Sequence, residues 1–390
     1  MPIVASSLIH RQLRIAGIAL MGMLLVSAAQ AQSADFANPA RPRLAAEADT
    51  NDARSYAAFA NASRKVADAY AGYVWAHRLK PTRLDYLSGM IGALETGRSE
   101  ISRDRRRKDR DDVAAILSSR IDSLKEIIAF RDPLFGLPPL NGACTTRPLK
   151  DMDVRELIGR GVLDLRAGCY YGTIAYLEEA VRRDTMLEHL LQMRAMAWHM
   201  VRRPEEAATD LQRAIVGVRR MRAQSIEQSP VSTAMLEYLL GMMYTRFNDR
   251  VSARRAFERA IGEDLSFYMA HVRLAELAMG RGDLNGAIDA LSLASQMRPD
   301  DALVLEAYAQ ALRSAGRYSE AQASYAQAIT YAPDYADLRF SFAELLDLAG
   351  NASAALNAFR EYVARAARQD SSQIQFASDR ISTMESARNP

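Results

Sequence analysis

An all-α chain built largely from stacked helical hairpins is what this sequence predicts, and three observations carry the prediction. Between Tyr268 and Phe359 one pattern returns at a fixed interval, with glycines at Gly282, Gly316 and Gly350 and alanines at Ala287, Ala321 and Ala355. A second alanine set falls at the same interval, at Ala275, Ala309 and Ala343, and Pro299 is followed by Pro333. A fixed period of this size marks a stacked repeat, in which each unit buries its apolar face on its neighbours. Upstream of the repeats, apolar residues recur at steps of three, four and seven, the spacing of one helix face.

Residues 1–31 read as an export signal and not as part of the fold. Arg11 and Arg14 form a basic start, Ile15 to Val26 is an unbroken apolar or small run, and Ala29-Gln30-Ala31 supplies a small-x-small cleavage site. An apolar core of about a dozen residues is short of the ~20 needed to span a bilayer. Gln32, not cysteine, follows the cut, which argues against a lipid anchor. The expected location is therefore periplasmic or secreted, with no membrane span left after cleavage.

The whole chain carries a formal charge of +3, and losing Arg11 and Arg14 brings it closer to neutral. Such a balance gives no field to gather nucleic acid or anionic lipid. The basic residues are nearly all arginine: only Lys65, Lys80, Lys108, Lys125 and Lys150 are lysine.

Residues 32–51 lack periodicity, are rich in Ala, Pro and Arg, and are expected to be a flexible leader. Residues 52–131 read as an N-terminal helical region. Tyr56, Phe59, Val66, Tyr70, Tyr73 and Val74 share one face of a helix that Pro81 stops. Leu84, Leu87, Ile91 and Leu94, and then Leu117, Ile121, Leu124 and Ile128, form two short heptad-like seams. These suit an antiparallel hairpin or bundle within the chain, or a coiled coil that would make a homodimer. Between them, residues 98–112 interleave seven basic residues with five acids and hold no aromatic to stack on a base. That composition describes a solvated face held by local ion pairs better than a nucleic-acid site.

Residues 132–153 contain Pro133, Pro138, Pro139 and Pro148 and read as a linker, the one domain boundary the sequence marks. They hold Cys144, and Cys169 is the only other cysteine. In an oxidising compartment an isolated pair of this kind is expected to be bridged, pinning the linker to the start of the repeats. Two free buried thiols are the alternative.

In register, residues 268–301, 302–335 and 336–369 resemble the tetratricopeptide repeat, the TPR family of helix–turn–helix units. In that family, position 8 is small, positions 20 and 27 are alanine, 24 is large, and a proline at 32 ends the second helix. The middle unit shows Ala309, Ala321, Tyr325, Ala328 and Pro333; the one before it shows Ala275, Ala287, Leu291, Ala294 and Pro299. The third has Ala343, Ala355 and Phe359 but Tyr362 at position 27, so its second helix is expected to pack less tightly. One period upstream, residues 234–267 match through Leu240, Gly241, Tyr244, Ala253, Phe257 and Ala260. Two further units fit once a short insertion is allowed after Arg219: 188–221 with Ala195, Trp198, Ala207, Leu211 and Ala214, and 154–187 with Gly161, Gly168, Leu177 and Ala180. The insertion, containing Pro230, should lengthen one connection or helix end. The resemblance implies a right-handed α-solenoid over residues 154–369, of about five to six repeats. Residues 370–390 add a capping helix with Ile374, Ala377, Ile381 and Met384 on one face.

The same resemblance implies a concave groove lined by the first helix of each repeat. Carried over position by position, it comprises His189, Gln192, Met196, His199 and Met200; then Met235, Tyr238, Met242, Thr245 and Arg246; then Met269, Val272, Glu276 and Met279. Leu303, Glu306, Gln310 and Arg313 follow, and Asp337, Phe340, Glu344 and Asp347 close the series. The Lys/Asn/Arg set with which chaperone-binding TPR proteins grip a terminal carboxylate is missing. Methionines crowd the middle, either as an adaptable surface for an amphipathic helix or extended apolar segment, or as ordinary packing between helices.

No catalytic motif, metal-ligand spacing or phosphate loop is present, and no cofactor is implied. His189 and His199 are ten apart, and neither Gly-x-Ser-x-Gly nor Cys-x-x-Cys occurs. The leading reading is a non-enzymatic periplasmic scaffold that binds a partner segment within an envelope assembly or secretion system. A periplasmic regulator or targeting factor dimerising through the N-terminal helices is the alternative, and an enzyme or enzyme subunit a remote one.

Overall fold

A computed structural model describes residues 39–104, 109–131, 144, 148–184, 190–223, 232–368 and 370–388. The signal-like segment, most of the Pro-rich linker and His189 lie outside the described residues. The chain is all-α: its described elements are helices, and they divide into two compact units, one ending at Glu126 and the other beginning at Ile127.

In the first unit, α1 (Ala53–Ala62) and α2 (Val66–Leu79) form a hairpin where the sequence predicts one helix from residue 52 to 80. The break has a local cause. Ser63 turns back on α1, its backbone N–H donating to Ala60 O and its hydroxyl to Phe59 O. Gly72 then lets the helices meet, because a Cβ there would stand 2.8 Å from both Ala60 Cβ and Tyr56 O. The described part of the leader, residues 39–51, also departs from expectation: it is strapped to this hairpin. Arg41 donates to the Tyr56 hydroxyl at 2.7 Å and lies over the rings of Tyr56 and Trp75, while the Trp75 indole N–H donates to Pro39 O.

Helices α3 (Leu84–Arg103) and α4 (Arg110–Arg131) follow. Leu87 and Leu94 of the first seam are buried, as are Leu117, Ile121 and Leu124 of the second. Arg98 reaches Ser118 and Lys125 reaches Glu95, so the two helices lie antiparallel within one chain. Arg120 of α4 donates to the Tyr70 hydroxyl of α2. The seams that could have joined two chains are thus covered by this chain's own helices.

The second unit stacks six hairpins: α5/α6 (Val154–Ala167, Tyr170–Arg183), α7/α8 (Leu191–Met200, Pro204–Ala223) and α9/α10 (Thr233–Arg246, Arg250–Glu263). Then come α11/α12 (Tyr268–Met279, Leu284–Met297), α13/α14 (Ala302–Ser314, Tyr318–Tyr331) and α15/α16 (Ala336–Leu348, Ala352–Arg365). Each hairpin turns through one residue in the left-handed region: Gly168, Arg202, Asn248, Gly282, Gly316 and Gly350. That series keeps the repeat period throughout, except for a longer step from Arg202 to Asn248, which locates the insertion. Part of the insertion extends α8 to 20 residues, against 14 for α10 and α12.

Within a hairpin, the small residue of the first helix faces the large residue of the second. A Cβ on Gly241 would lie 2.5 Å from the Phe257 ring, and one on Gly161 2.8 Å from Leu177. Thr173 stands where alanine is expected and is accommodated by donating its hydroxyl to Gly161 O at 3.2 Å. Cys144 and Cys169 are joined as a disulfide, with Cα atoms 5.5 Å apart.

The last repeat corrects another expectation. Tyr362 does not loosen α16: it is fully buried, its ring centroid lies 5.0 Å from that of Phe340, and its hydroxyl donates to Gln373 of α17 (Ser371–Arg388). Ala377 and Met384 of α17 are buried in the same cluster, with Ile374 and Ile381 packed against it. The bulky ring at position 27 is what receives the terminal helix. Arg380 holds the other flank through two contacts to Asp347, at 2.7 and 2.8 Å.

Candidate functional site

The first helices of successive repeats, α7, α9, α11, α13 and α15, carry the predicted groove positions. The structure sorts those residues into three groups. Gln192, Tyr238 and Met269 are buried and do not offer a surface. Tyr238 is fully enclosed between Phe257 and Phe267, with ring centroids 5.6 and 5.2 Å away. A large ring at this position is drawn into the joint between repeats because burying it stabilises more than leaving it in the groove.

The methionines form the second group. Met196, Met235 and Met242 pack on the core shared by α7 to α9, and Met200 on the cluster of Leu165, Tyr170, Ile174 and Ala197. Met235 and Met242 also touch the next core along, joined there by Val272, and Met279 packs against the α11–α13 core. The methionine stripe is therefore the seam between consecutive first helices, half covered, where flexible thioethers fill irregular gaps. The ordinary-packing reading of these residues is the one their contacts support.

The third group remains open to solvent and is mostly polar. Arg246, Glu276 and Gln310 are exposed, and His199, Glu306, Arg313, Phe340 and Glu344 are half-exposed. Ion pairs and hydrogen bonds lace many of them together. Arg313 reaches Glu344 on the next repeat at 3.2 Å, and Gln310 donates to Glu306 at 3.3 Å. Arg273 donates to Glu276 at 2.9 and 3.0 Å and to the Tyr238 hydroxyl at 3.2 Å. Burial alone would depress the Arg273 guanidinium, but Tyr238 and Glu276 outweigh it and hold the charge firmly in place.

Arg273 and Glu276 also line a cleft of about 230 Å³ between repeats three and four, together with Thr245, Phe257, Leu277 and Gly280. Asn248 and Arg250 complete the lining, so an apolar floor is rimmed by two guanidiniums, of Arg250 and Arg273, and one exposed carboxylate. Such a lining suits a side chain or short peptide stretch. Among the described residues there is no group of three or more His, Cys, Asp or Glu placed to hold a metal ion, and no helix is long and apolar enough to cross a membrane. Family positions point to the first-helix face, but the sequence carried no sign of Arg273. It lies at position 6, outside the groove set, and reaches the cleft only because Tyr238 is buried beneath it.

An all-α solenoid of stacked hairpins with a fixed polar face is the form of a protein–protein interaction scaffold. Residues 312–375 match the model of the tetratricopeptide repeat. The C-terminal part of a TPR repeat-containing protein from Cytophaga hutchinsonii superposes with a TM-score of 0.51 at 12% identity, covering 61% of this chain and 89% of that one. A MamA protein aligns at 17% identity over 46% of this chain and 91% of its own, with a TM-score of 0.40. YrrB, described as a TPR protein with an unusual peptide-binding site, aligns at 16% identity over 52% and 97%, with a TM-score of 0.42. No curated protein matches the sequence. Residues 312–375 thus match the tetratricopeptide repeat, and the solenoid around them has the same fold.

Proposed function

We propose that this protein is an exported, non-enzymatic scaffold that holds a segment of another protein along the first-helix face of its solenoid, within an assembly of the cell envelope. The observation that carries the binding role is the cleft between α9 and α11, where Arg273 is fixed by Tyr238 and Glu276 at the rim of an open face. A repeat array offers such a face as a fixed surface, so binding costs little ordering of the scaffold. The occupant that suits the cleft is an extended or helical segment presenting one apolar side chain flanked by polar groups. Export is supported by the signal-like residues 1–31 and by the disulfide, a bond that persists in oxidising compartments.

Two experiments test the two halves. The mature N-terminus, read by mass spectrometry on protein from fractionated cells, is expected at Gln32 in the envelope fraction; an intact Met1 in the cytoplasm would overturn export. For binding, Arg246→Glu plus Glu276→Lys changes the open face without touching the buried Tyr238. Partners captured by the native protein should be lost from that variant, and an unchanged set would sink the groove.

A further inference from the structure

The turns joining first to second helices run along one edge of the solenoid, and their arginines differ between its two halves. In repeats four and five each turn arginine has a carboxylate, Arg281 with Asp283, Arg313 with Glu344 and Arg317 with Glu320, and the turn of repeat six holds no arginine. In the first three, Arg166, Arg202 and Arg246 are exposed and make no ion pair or hydrogen bond through their side chains among the described residues. One such guanidinium stands in each turn. Arg166 and Arg246 sit in the last turns of α5 and α9, where a cation complements the helix dipole. That explains a basic residue there but not the lack of a carboxylate partner. Arg202 is odder still, a long side chain at φ 61°, where the other turns use glycine or asparagine.

The rest of this edge reinforces the charge. Arg203 and Arg250 stand in the same two turns as Arg202 and Arg246. Of the acids there, Glu206 is paired with Arg203 and Asp249 caps α10 through the Ser252 N–H, so the two turns hold four arginines against three carboxylates. At the first turn, α6 begins with Cys169, which makes no side-chain cap, and has no acid in its first turn. Two large apolar residues lie exposed on the first turns of the second helices, Tyr171 at 64% and Val251 at 57%.

We propose that the turn edge of repeats one to three, which meets the first-helix face at Arg246, is a second docking surface, for an acidic segment of a partner protein. Planar guanidiniums match carboxylates two bonds at a time, and arginine and tyrosine are the residues enriched at the centres of protein interfaces. One free charge per repeat fits carboxylates spaced along a single segment. Single arginines one repeat apart, interleaved with Glu205, Glu206 and Asp249, are not the contiguous basic cluster that holds an anionic membrane.

The test uses the full-length mature protein and a fluorescein-labelled helical peptide with glutamate at every fourth position, against the same peptide with glutamine. Anisotropy titration should show the glutamate peptide binding about tenfold or more tightly than the glutamine one, weakening steeply from about 50 to about 300 mM salt. Arg166→Glu/Arg202→Glu/Arg246→Glu should abolish that preference with an unchanged melting temperature, and the milder triple glutamine variant should weaken it. Arg254→Glu/Arg255→Glu, on the outer face of α10, should keep it. Equal affinity for the two peptides, or unaltered binding by the triple variants, overturns the proposal. So does flotation with phosphatidylglycerol vesicles that depends on these arginines while the glutamate peptide fails to bind. The first-helix face is unchanged in Arg166→Glu and Arg202→Glu, so partner capture by that pair separates this edge from the groove.

Discussion

The Arg194 guanidinium meets the Asp210 carboxylate fork to fork, Nε to Oδ2 and Nη2 to Oδ1, both at 2.6 Å, with side chains only 10% and 2% exposed. This pair ties α7 to α8 inside the second repeat, at register positions that the third repeat fills with Leu240 and Ala256. Removing one partner leaves a buried charge without compensation, which costs about 3–5 kcal/mol, whereas replacing both with apolar residues of similar volume is close to neutral. Asp210→Ala is therefore expected to destabilise the solenoid by about that amount, and Arg194→Met/Asp210→Leu to restore most of it. Urea unfolding of the native protein, both single variants and the double variant checks the claim.

The close approach of first and second helix in the third repeat gives a paired prediction. Gly241→Ala places a methyl 2.5 Å from the Phe257 ring and should cost about 1–3 kcal/mol by overpacking. Gly262 lies in α10 with nothing within 4 Å of its would-be Cβ, so Gly262→Ala should stabilise by up to about 1 kcal/mol through helix propensity. The opposite signs, read from melting temperatures, follow from position alone.

These two glycines also show what the sequence could and could not reveal. The repeat register was legible because small residues must recur wherever two helices cross closely and wherever the chain turns through positive φ. Arg202 and Asn248 occupy that left-handed position without being glycine, so only the register, not residue type, marked their turns. The hairpin of α1 and α2 was missed because Ser63 ends a helix by a local hydrogen bond that leaves no gap in the apolar spacing. The strap of residues 39–51 was missed for a different reason: Arg41, Tyr56 and Trp75 are far apart in sequence and meet only in the fold. At the site, family positions named the first-helix face, but which side chains stay open on it depended on volume. Tyr238 and the methionines fill joints, leaving the charged residues outside.

The disulfide closes a stretch of 25 residues onto the first turn of the solenoid. Restricting a loop of that length in the unfolded chain is worth on the order of 3 kcal/mol. Cys144→Ser/Cys169→Ser is expected to lose up to that amount, and because repeats unfold in part, the loss should concentrate in α5 and α6. Hydrogen exchange of those helices with and without the bond is the measurement. Protection unchanged there would show that the bridge does not hold the first repeat.

His271 on α11 supplies the pH dependence. It is buried, its Nε2 has no hydrogen-bond partner, and burial pushes its pKa below the ordinary 6.5. The unfolded chain takes up that proton more readily than the folded one, so folding is favoured above the unfolded pKa and weakened as pH falls through the folded value. The slope from this one group cannot exceed about 1.4 kcal/mol per pH unit. His271→Leu should remove this contribution, visible as a smaller difference in unfolding free energy between about pH 7 and about pH 5 than in the native protein.

The central claim is that the first-helix face holds a partner, and site-specific photo-cross-linking in living cells tests it most directly. A photoreactive residue at Gln310, exposed on that face, should give a discrete higher-mass adduct; one at Gln327, exposed on the second helix of the same repeat, should not. Adducts that are absent from Gln310, or equal at both positions, would contradict it.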